Sequence, residues 1–212
     1  MLQKKSLFLV SVISFILFVV FSFLVHKNLF TQFDFNNTVH LQDDISRRFD
    51  MPFSWLSIIG NIEVMSVLLG LILLGYGVVY KKLKALLIFL FFVGMHLLEL
   101  FGKSFVHHPP PPEFMLRTQY PISFPQFYVS TQNSYPSGHA ARGLFVTLII
   151  ALIIAKNKNM HREMKWLVYA CLIVYDSVLL VSRVYLGEHW TSDVIGGSLL
   201  GASFALASSV FL

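Results

Sequence analysis

The sequence predicts an all-α fold, a polytopic membrane bundle of six transmembrane helices, and three observations predict it. Of the 212 residues, 56% are hydrophobic and only 13% are charged, with 21 Phe and a mean hydropathy of +0.69. A soluble domain of this size has too little interior to hide so much apolar surface. The apolar residues fall into long runs, each near the roughly 20 residues a helix needs to cross a hydrocarbon core. The basic residues collect in short clusters between those runs, which is the pattern of membrane topology. The net charge of +5 therefore argues for a bilayer and not for a nucleic-acid partner. The single cysteine, Cys171, lies inside an apolar run, so no intrachain disulfide can form.

In chain order, Lys4 and Lys5 precede an apolar run from Leu7 to Val25. It is longer than the roughly 7–15-residue apolar region of a cleaved signal peptide and reads as a retained first span. His26 to Pro52 mixes Asp34, Asp43, Asp44 and Asp50 with Lys27, Arg47 and Arg48. It is expected to lie outside, near the headgroups, with an amphipathic helix around Val39 to Phe49. A second span is expected from Phe53 to Tyr80 and a third from Ala85 to Phe101, separated by Lys81, Lys82 and Lys84. Gly102 to Ser137 is polar and proline-rich, with Pro109 to Pro112 consecutive and further prolines at 121, 125 and 136. Consecutive prolines cannot continue a helix and favour a stiff polyproline II segment.

The fourth span runs from Gly138 to Ala155. Lys156, Lys158, Arg162 and Lys165 separate it from a fifth, Trp166 to Leu186. The sixth, Val194 to Leu212, is rich in Gly, Ala and Ser, which let membrane helices approach closely. Together the spans make one membrane domain, 1–212. The basic clusters at the amino terminus, 81–84 and 156–165 all fall on one side. The positive-inside rule then puts both termini in the cytoplasm, and the Gly102–Ser137 loop and the 183–193 stretch on the outer face.

That outer face gathers chemistry. Asp193 follows His189 by one helical turn, so its carboxylate can take the proton of one imidazole nitrogen and leave the other free as a nucleophile. Arg183 offers a planar cationic fork suited to phosphate oxygens, with Tyr185, Gly187 and Trp190 shaping the turn between it and His189. Pro136-Ser137-Gly138-His139 stands where the fourth span begins. A helix amino terminus presents unpaired N–H groups and the positive end of its dipole, which suits a phosphate. Gly138 permits close approach and Ser137 adds a hydroxyl, unless that hydroxyl only caps the helix. His139 is placed to give a proton to a leaving oxygen, or faces water. Lys103, at the outer end of the third span, is within reach of Glu99 one turn earlier, with His96 on the same face; it either serves the site or snorkels at the boundary.

These residues resemble the type 2 phosphatidic acid phosphatase family, whose site is related to that of vanadium haloperoxidases. The family's second motif, Pro-Ser-Gly-His, is complete at Pro136 to His139. Its third, Ser-Arg, five residues, His, three residues, Asp, is complete at Ser182, Arg183, His189 and Asp193. The first motif, Lys followed after six residues by Arg-Pro, departs: Lys103 and Pro111 match, but Pro110 replaces the arginine. The resemblance implies an integral membrane hydrolase of lipid phosphates or diphosphates that works without metal or other cofactor. His189 would form a phosphohistidine, Asp193 orient it, His139 protonate the leaving group, and Lys103, Ser137, Gly138 and Arg183 hold the phosphate oxygens.

The missing arginine asks for a substitute. Arg142, one turn past His139, is the first choice and Arg117 the second, with His107 and His108 beside the prolines; Arg142 alternatively pairs with Glu188 or another buried acid. Structural roles are expected for Asp176, as an ion pair with Arg183, and for Asn61 and Glu63, as bridges between helices. Undecaprenyl diphosphate, phosphatidic acid and phosphatidylglycerol phosphate are the candidate lipids, by family analogy. A phosphotransferase that uses an acceptor other than water, and a non-catalytic lipid-phosphate binding or transport protein, are the competing classes.

Overall fold

A computed structural model describes residues 2–119 and 132–212; the prolines at 121 and 125 lie outside the described residues. Eight α-helices follow one another among those residues: α1 (Leu2–His26), α2 (Thr31–Asp44), α3 (Asp50–Ile59), α4 (Ile62–Val79), α5 (Ile88–Phe105), α6 (Gly138–Lys156), α7 (Arg162–Tyr185) and α8 (Thr191–Ser208). Among the described residues, six segments are long and apolar enough to cross a membrane: Lys5–His26, Ile62–Val79, Leu83–Phe105, Gly138–Lys156, Arg162–Tyr185 and Thr191–Phe211. The chain is thus a polytopic membrane helical bundle, as its hydropathy predicts.

Helix α8 is the centre, packed along much of its length between α1 and α6. Lipid tails are as apolar as leucine, so helices in a bilayer associate through close packing and interhelical hydrogen bonds. Both appear here. A methyl group on Gly201 would sit 3.0 Å from Ala141 Cα and closer still to its carbonyl oxygen, so only glycine lets α8 meet α6 at this depth. On the opposite side, Ser11 Oγ donates to Ser203 O at 2.9 Å and Ser14 Oγ to Leu199 O at 3.0 Å, tying α1 to α8. Outward-facing Phe8, Leu9, Ile16, Val67, Leu71, Ile173 and Val174 are exposed, as side chains that meet lipid must be.

Two expectations are corrected. The amphipathic helix expected at Val39 to Phe49 does not form; the helix here is Thr31–Asp44, and the residues it buries against the bundle are the polar Asp34 and Thr38. The expected second span, Phe53 to Tyr80, is two helices. Gly60 closes α3, and Asn61, extended at φ −65° and ψ 153°, starts α4. Irregular backbone is tolerated in a membrane protein where it is buried in protein, and both residues are buried. At the break Leu56 O and Ile58 O accept from Gly60 N–H and Asn61 N–H, while Ser57 O and Gly60 O are left to accept from side chains.

Alternation of the spans brings the carboxyl ends of α1, α5 and α7 and the amino ends of α4, α6 and α8 to one end of the bundle. Lys81, Lys82, Lys84, Lys156 and Lys158 gather at the other.

Candidate active site

At the polar end, α8 begins with Asp193 in its first turn. Trp190 N–H donates to Asp193 Oδ2 at 2.9 Å, so the carboxylate caps its own helix. His189 Nδ1 lies 3.3 Å from the same oxygen. Asp193 is fully buried and His189 is 7% exposed. Burial pulls the His189 imidazole below its ordinary pKa, against the opposing effect of its hydrogen bond to Asp193. The ring is therefore neutral at neutral pH, with Nδ1 bonded and Nε2 left with its lone pair.

The turn that presents His189 is held from three sides. Gly187 adopts φ +70°, and a side chain there would strike Met115 O. Gln42 of α2 donates Nε2–H to Met115 O at 2.7 Å and to Tyr185 O at 2.8 Å. Tyr185 OH donates to Asp50 Oδ1 at 2.5 Å and reaches Ser46 O at 3.2 Å. The proline segment crosses above: Trp190 Nε1–H donates to Pro109 O at 2.8 Å, and Arg117 N–H to Leu186 O at 2.9 Å.

Helix α6 starts at the second motif. Ser137 N–H donates to Asp193 O at 3.0 Å, fastening the start of α6 to α8. Ser137 Oγ accepts from Ala140 N–H at 3.5 Å as the helix cap, which leaves its own hydrogen available to an acceptor. A methyl group on Gly138 would lie 2.6 Å from Arg142 Nη1 and nearer to the Glu99 carboxyl, so glycine admits both groups to the helix start. Gly60 does the same for His139, whose Cδ2 would be 2.6 Å from a methyl group there. His139 Nε2 lies 3.2 Å from Ser57 O and 3.1 Å from Asn61 Oδ1, both acceptors. The hydrogen is thus on Nε2, and Nδ1 faces Arg142 Nη2 at 3.5 Å.

The cations converge on the same place. Lys103 Nζ lies 3.8 Å from Glu99 Oε1, and Arg142 Nη1 lies 3.4 Å from Glu99 Oε2. Arg142 Nε–H also donates to Gly60 O at 2.9 Å, one of the carbonyls freed at the end of α3. His96 Nδ1 meets Glu99 Oε2 at 2.9 Å. Arg183 is fully buried and pairs with Glu188, which accepts a hydrogen bond from Thr118 Oγ1 at 2.6 Å. Lys103, Arg142 and Arg183 all act electrostatically on His139.

Lys103, Ser137, Gly138, His139, Arg142, Arg183, His189 and Asp193 are therefore brought together. Arg117 is placed differently, with its guanidinium over the Tyr185 ring at 5.1 Å. Arg142 pairs with Glu99, a buried acid other than Glu188, because it turns inward against Gly60. One pairing is corrected. Asp176 receives Thr147 Oγ1–H at 2.8 Å and makes no ion pair with Arg183, whose acid is Glu188. Asn61 does bridge helices, to His139.

Two residues take places at the site that the sequence does not assign: His108, offered there only among the stand-ins for the missing arginine, and Asp34. His108 Nδ1 lies 2.8 Å from Asp193 Oδ1, and Asp34 of α2 accepts from Ser192 N–H at 2.8 Å and Oγ–H at 2.7 Å. His108 lies inside the six-residue gap of the first motif, where spacing assigns nothing. Asp34 is 158 residues from Ser192, and no local pattern links them.

A family model described as the PAP2 superfamily matches residues 81–212. Phosphatidylglycerophosphatase B of Bacillus subtilis (strain 168) is 38% identical over 68 residues, 32% of this chain and 34% of that protein. Undecaprenyl-diphosphatase of Sulfolobus acidocaldarius is 39% identical over 79 residues, 37% of this chain and 33% of that protein. The chain thus matches about a third of the length of these curated relatives. The crystal structure of a transmembrane PAP2-type phosphatidylglycerolphosphate phosphatase from Bacillus subtilis superposes with a TM-score of 0.77 at 23% identity, covering 95% of this chain and 94% of that one. That likeness is one of fold. The family match spans Lys103, Pro136–His139 and Ser182–Asp193, the residues that the bundle gathers at one end, and this chain belongs to the PAP2 superfamily.

Proposed function

We propose that this chain is a membrane phosphatase that hydrolyses a lipid phosphate or diphosphate through a phosphohistidine, without a metal. The observation that carries the reading is a neutral, buried His189 bonded through Nδ1 to Asp193, in the company of three cations and the amino terminus of α6. His189 Nε2 attacks phosphorus and the bond to the leaving oxygen breaks. Water then attacks the phosphohistidine, releases phosphate and returns His189 to its starting state. Arg183, Lys103, Ser137 Oγ–H and the first N–H groups of α6 meet the charge on the equatorial oxygens.

Arg142 takes the place of the arginine that Pro110 displaces. It reaches the site from α6 instead of the proline segment. Phosphate oxygens draw its guanidinium away from His139 Nδ1, which takes a proton from solvent and gives it to the leaving oxygen, while Nε2–H stays bonded to Ser57 O and Asn61 Oδ1. Phosphate binding thereby arms the acid.

The site faces outward, with both termini cytoplasmic, because the lysine clusters stand at the opposite end of the bundle. The two named relatives support phosphatidylglycerol phosphate and an isoprenoid diphosphate as the first substrates to try, with phosphatidic acid third. The test is phosphate release from these three lipids by purified protein in detergent, with and without EDTA and with and without an alcohol acceptor. Turnover that survives EDTA and yields free phosphate is expected. Complete loss in EDTA, restored by Mg²⁺, defeats the mechanism.

A further inference from the structure

His108 is buried between two carboxylates. Its Nδ1 lies 2.8 Å from Asp193 Oδ1 and its Nε2 lies 3.5 Å from Asp34 Oδ2. Asp193 divides its oxygens: Oδ1 serves His108, while Oδ2 serves His189 Nδ1 and Trp190 N–H. His108 itself is pinned. Its N–H donates to Asn133 Oδ1 at 3.0 Å, and its carbonyl accepts from Ser134 N–H at 2.9 Å and Ser134 Oγ–H at 3.1 Å. The ring stands edge-on to Tyr135, with centroids 6.4 Å apart. Built this way, the imidazole has acceptors on both nitrogens. A neutral ring can satisfy one carboxylate only; an imidazolium satisfies both and sets one positive charge between two buried negative ones.

We propose that His108, as an imidazolium clamped between Asp34 and Asp193, is the positioning residue that aims Asp193 at His189. This rests on the reading of His189 as the nucleophile. Asp193 bonded to a cation is a weaker base. It orients the Nδ1–H of His189 without removing that proton, and His189 Nε2 keeps its lone pair. When His108 loses its proton, Asp193 and Asp34 compete for one donor, and the Asp193 carboxylate is free to turn from His189. The titratable groups that face His108 are Asp193 from α8, Asp34 from α2 and Tyr135 from the segment before α6. Burial alone would lower its pKa, but hydrogen bonds to Asp193 and Asp34 raise it to about 9. A raised pKa places the charged, working form below that value, and activity falls as pH rises through it.

The test is the kcat/KM profile of purified protein from pH 6 to 11 with p-nitrophenyl phosphate, a substrate that needs little help from the general acid. Wild type should decline around pH 9. His108→Arg, a cation that does not titrate in this range, should keep at least a third of the neutral-pH rate and lose the alkaline decline. His108→Gln should lose about 10- to 100-fold in kcat, the scale typical of groups that orient a reacting ligand from behind, with KM changed less than about threefold. Thermal melting of each variant in detergent separates misfolding from mispositioning, and the Gln variant decides the matter if the Arg variant does not fold. A His108→Arg profile that falls with wild type, or a His108→Gln variant with wild-type kcat, overturns the proposal. A phosphoenzyme trapped from wild type by an alkaline denaturing quench, which spares the acid-labile phosphohistidine, in either of those cases shows that only the His108 role has failed. Absence of any trapped phosphohistidine in wild type shows that the underlying reading has failed.

Discussion

Replacing Asp193 with Asn removes one negative charge and converts one acceptor oxygen into a donor, at a residue with no solvent exposure to absorb the change. Three hydrogens now point at this carboxylate: from His108 Nδ1, from His189 Nδ1 and from Trp190 N. An amide oxygen can face only one side. A hydrogen bond from a charged donor contributes about 1.5–3 kcal/mol and one from a neutral donor about 0.5–1.5 kcal/mol. The oxygen of the new amide is therefore held by His108, and its NH₂ faces His189 and Trp190. His189 Nδ1 must then accept, its hydrogen moves to Nε2, and the attacking lone pair is lost. Enforcing the wrong tautomer in a His–Asp pair costs on the order of 10⁴ in rate, or about 5.4 kcal/mol. Asp193→Asn should thus lower kcat by about 10³- to 10⁴-fold on alkyl and aryl phosphates alike, by phosphate release in detergent. Retention of more than a tenth of wild-type kcat, or selective rescue by the aryl phosphate, would refute this account of how His189 is held.

His139→Ala should slow alkyl phosphates by roughly 10²- to 10⁴-fold and recover most of that loss with an aryl phosphate, since a good leaving group needs little protonation; rescue of His189→Ala in its place would exchange the two roles. Gly201→Leu should separate α6 from α8, because even the first carbon of the new side chain meets the Ala141 backbone. A cost of about 1–3 kcal/mol is expected to lower the melting temperature by about 2–4 °C per kcal/mol, and an unchanged melt with full activity would contradict the packing. Single cysteines at the exposed positions Glu113 and Lys158, in a Cys171→Ala background, should be labelled from outside intact cells at 113 only; the reverse pattern would invert the topology.

The sequence by itself determined the class of fold, the motifs and the partners that lie one turn apart. Hydropathy acts over a single helix length, so all six spans are legible, although Gly60 and Asn61 hide a break in the second. Asp193 and His189, or Lys103 and Glu99, meet because helical spacing brings them together. Tertiary structure decided everything that depends on which distant backbone lies alongside. Arg142 is on the right face of α6, but only the broken end of α3 turns it to Gly60 O and leaves Glu99 as its acid. Asp34 reads as one acid in a polar external segment until α2 folds inward and delivers it to Ser192 and His108. The physical reason is the same in each case. Burial makes an unpaired charge too costly to leave alone, so its partner is chosen by the packing of the bundle, and packing leaves no trace in local spacing.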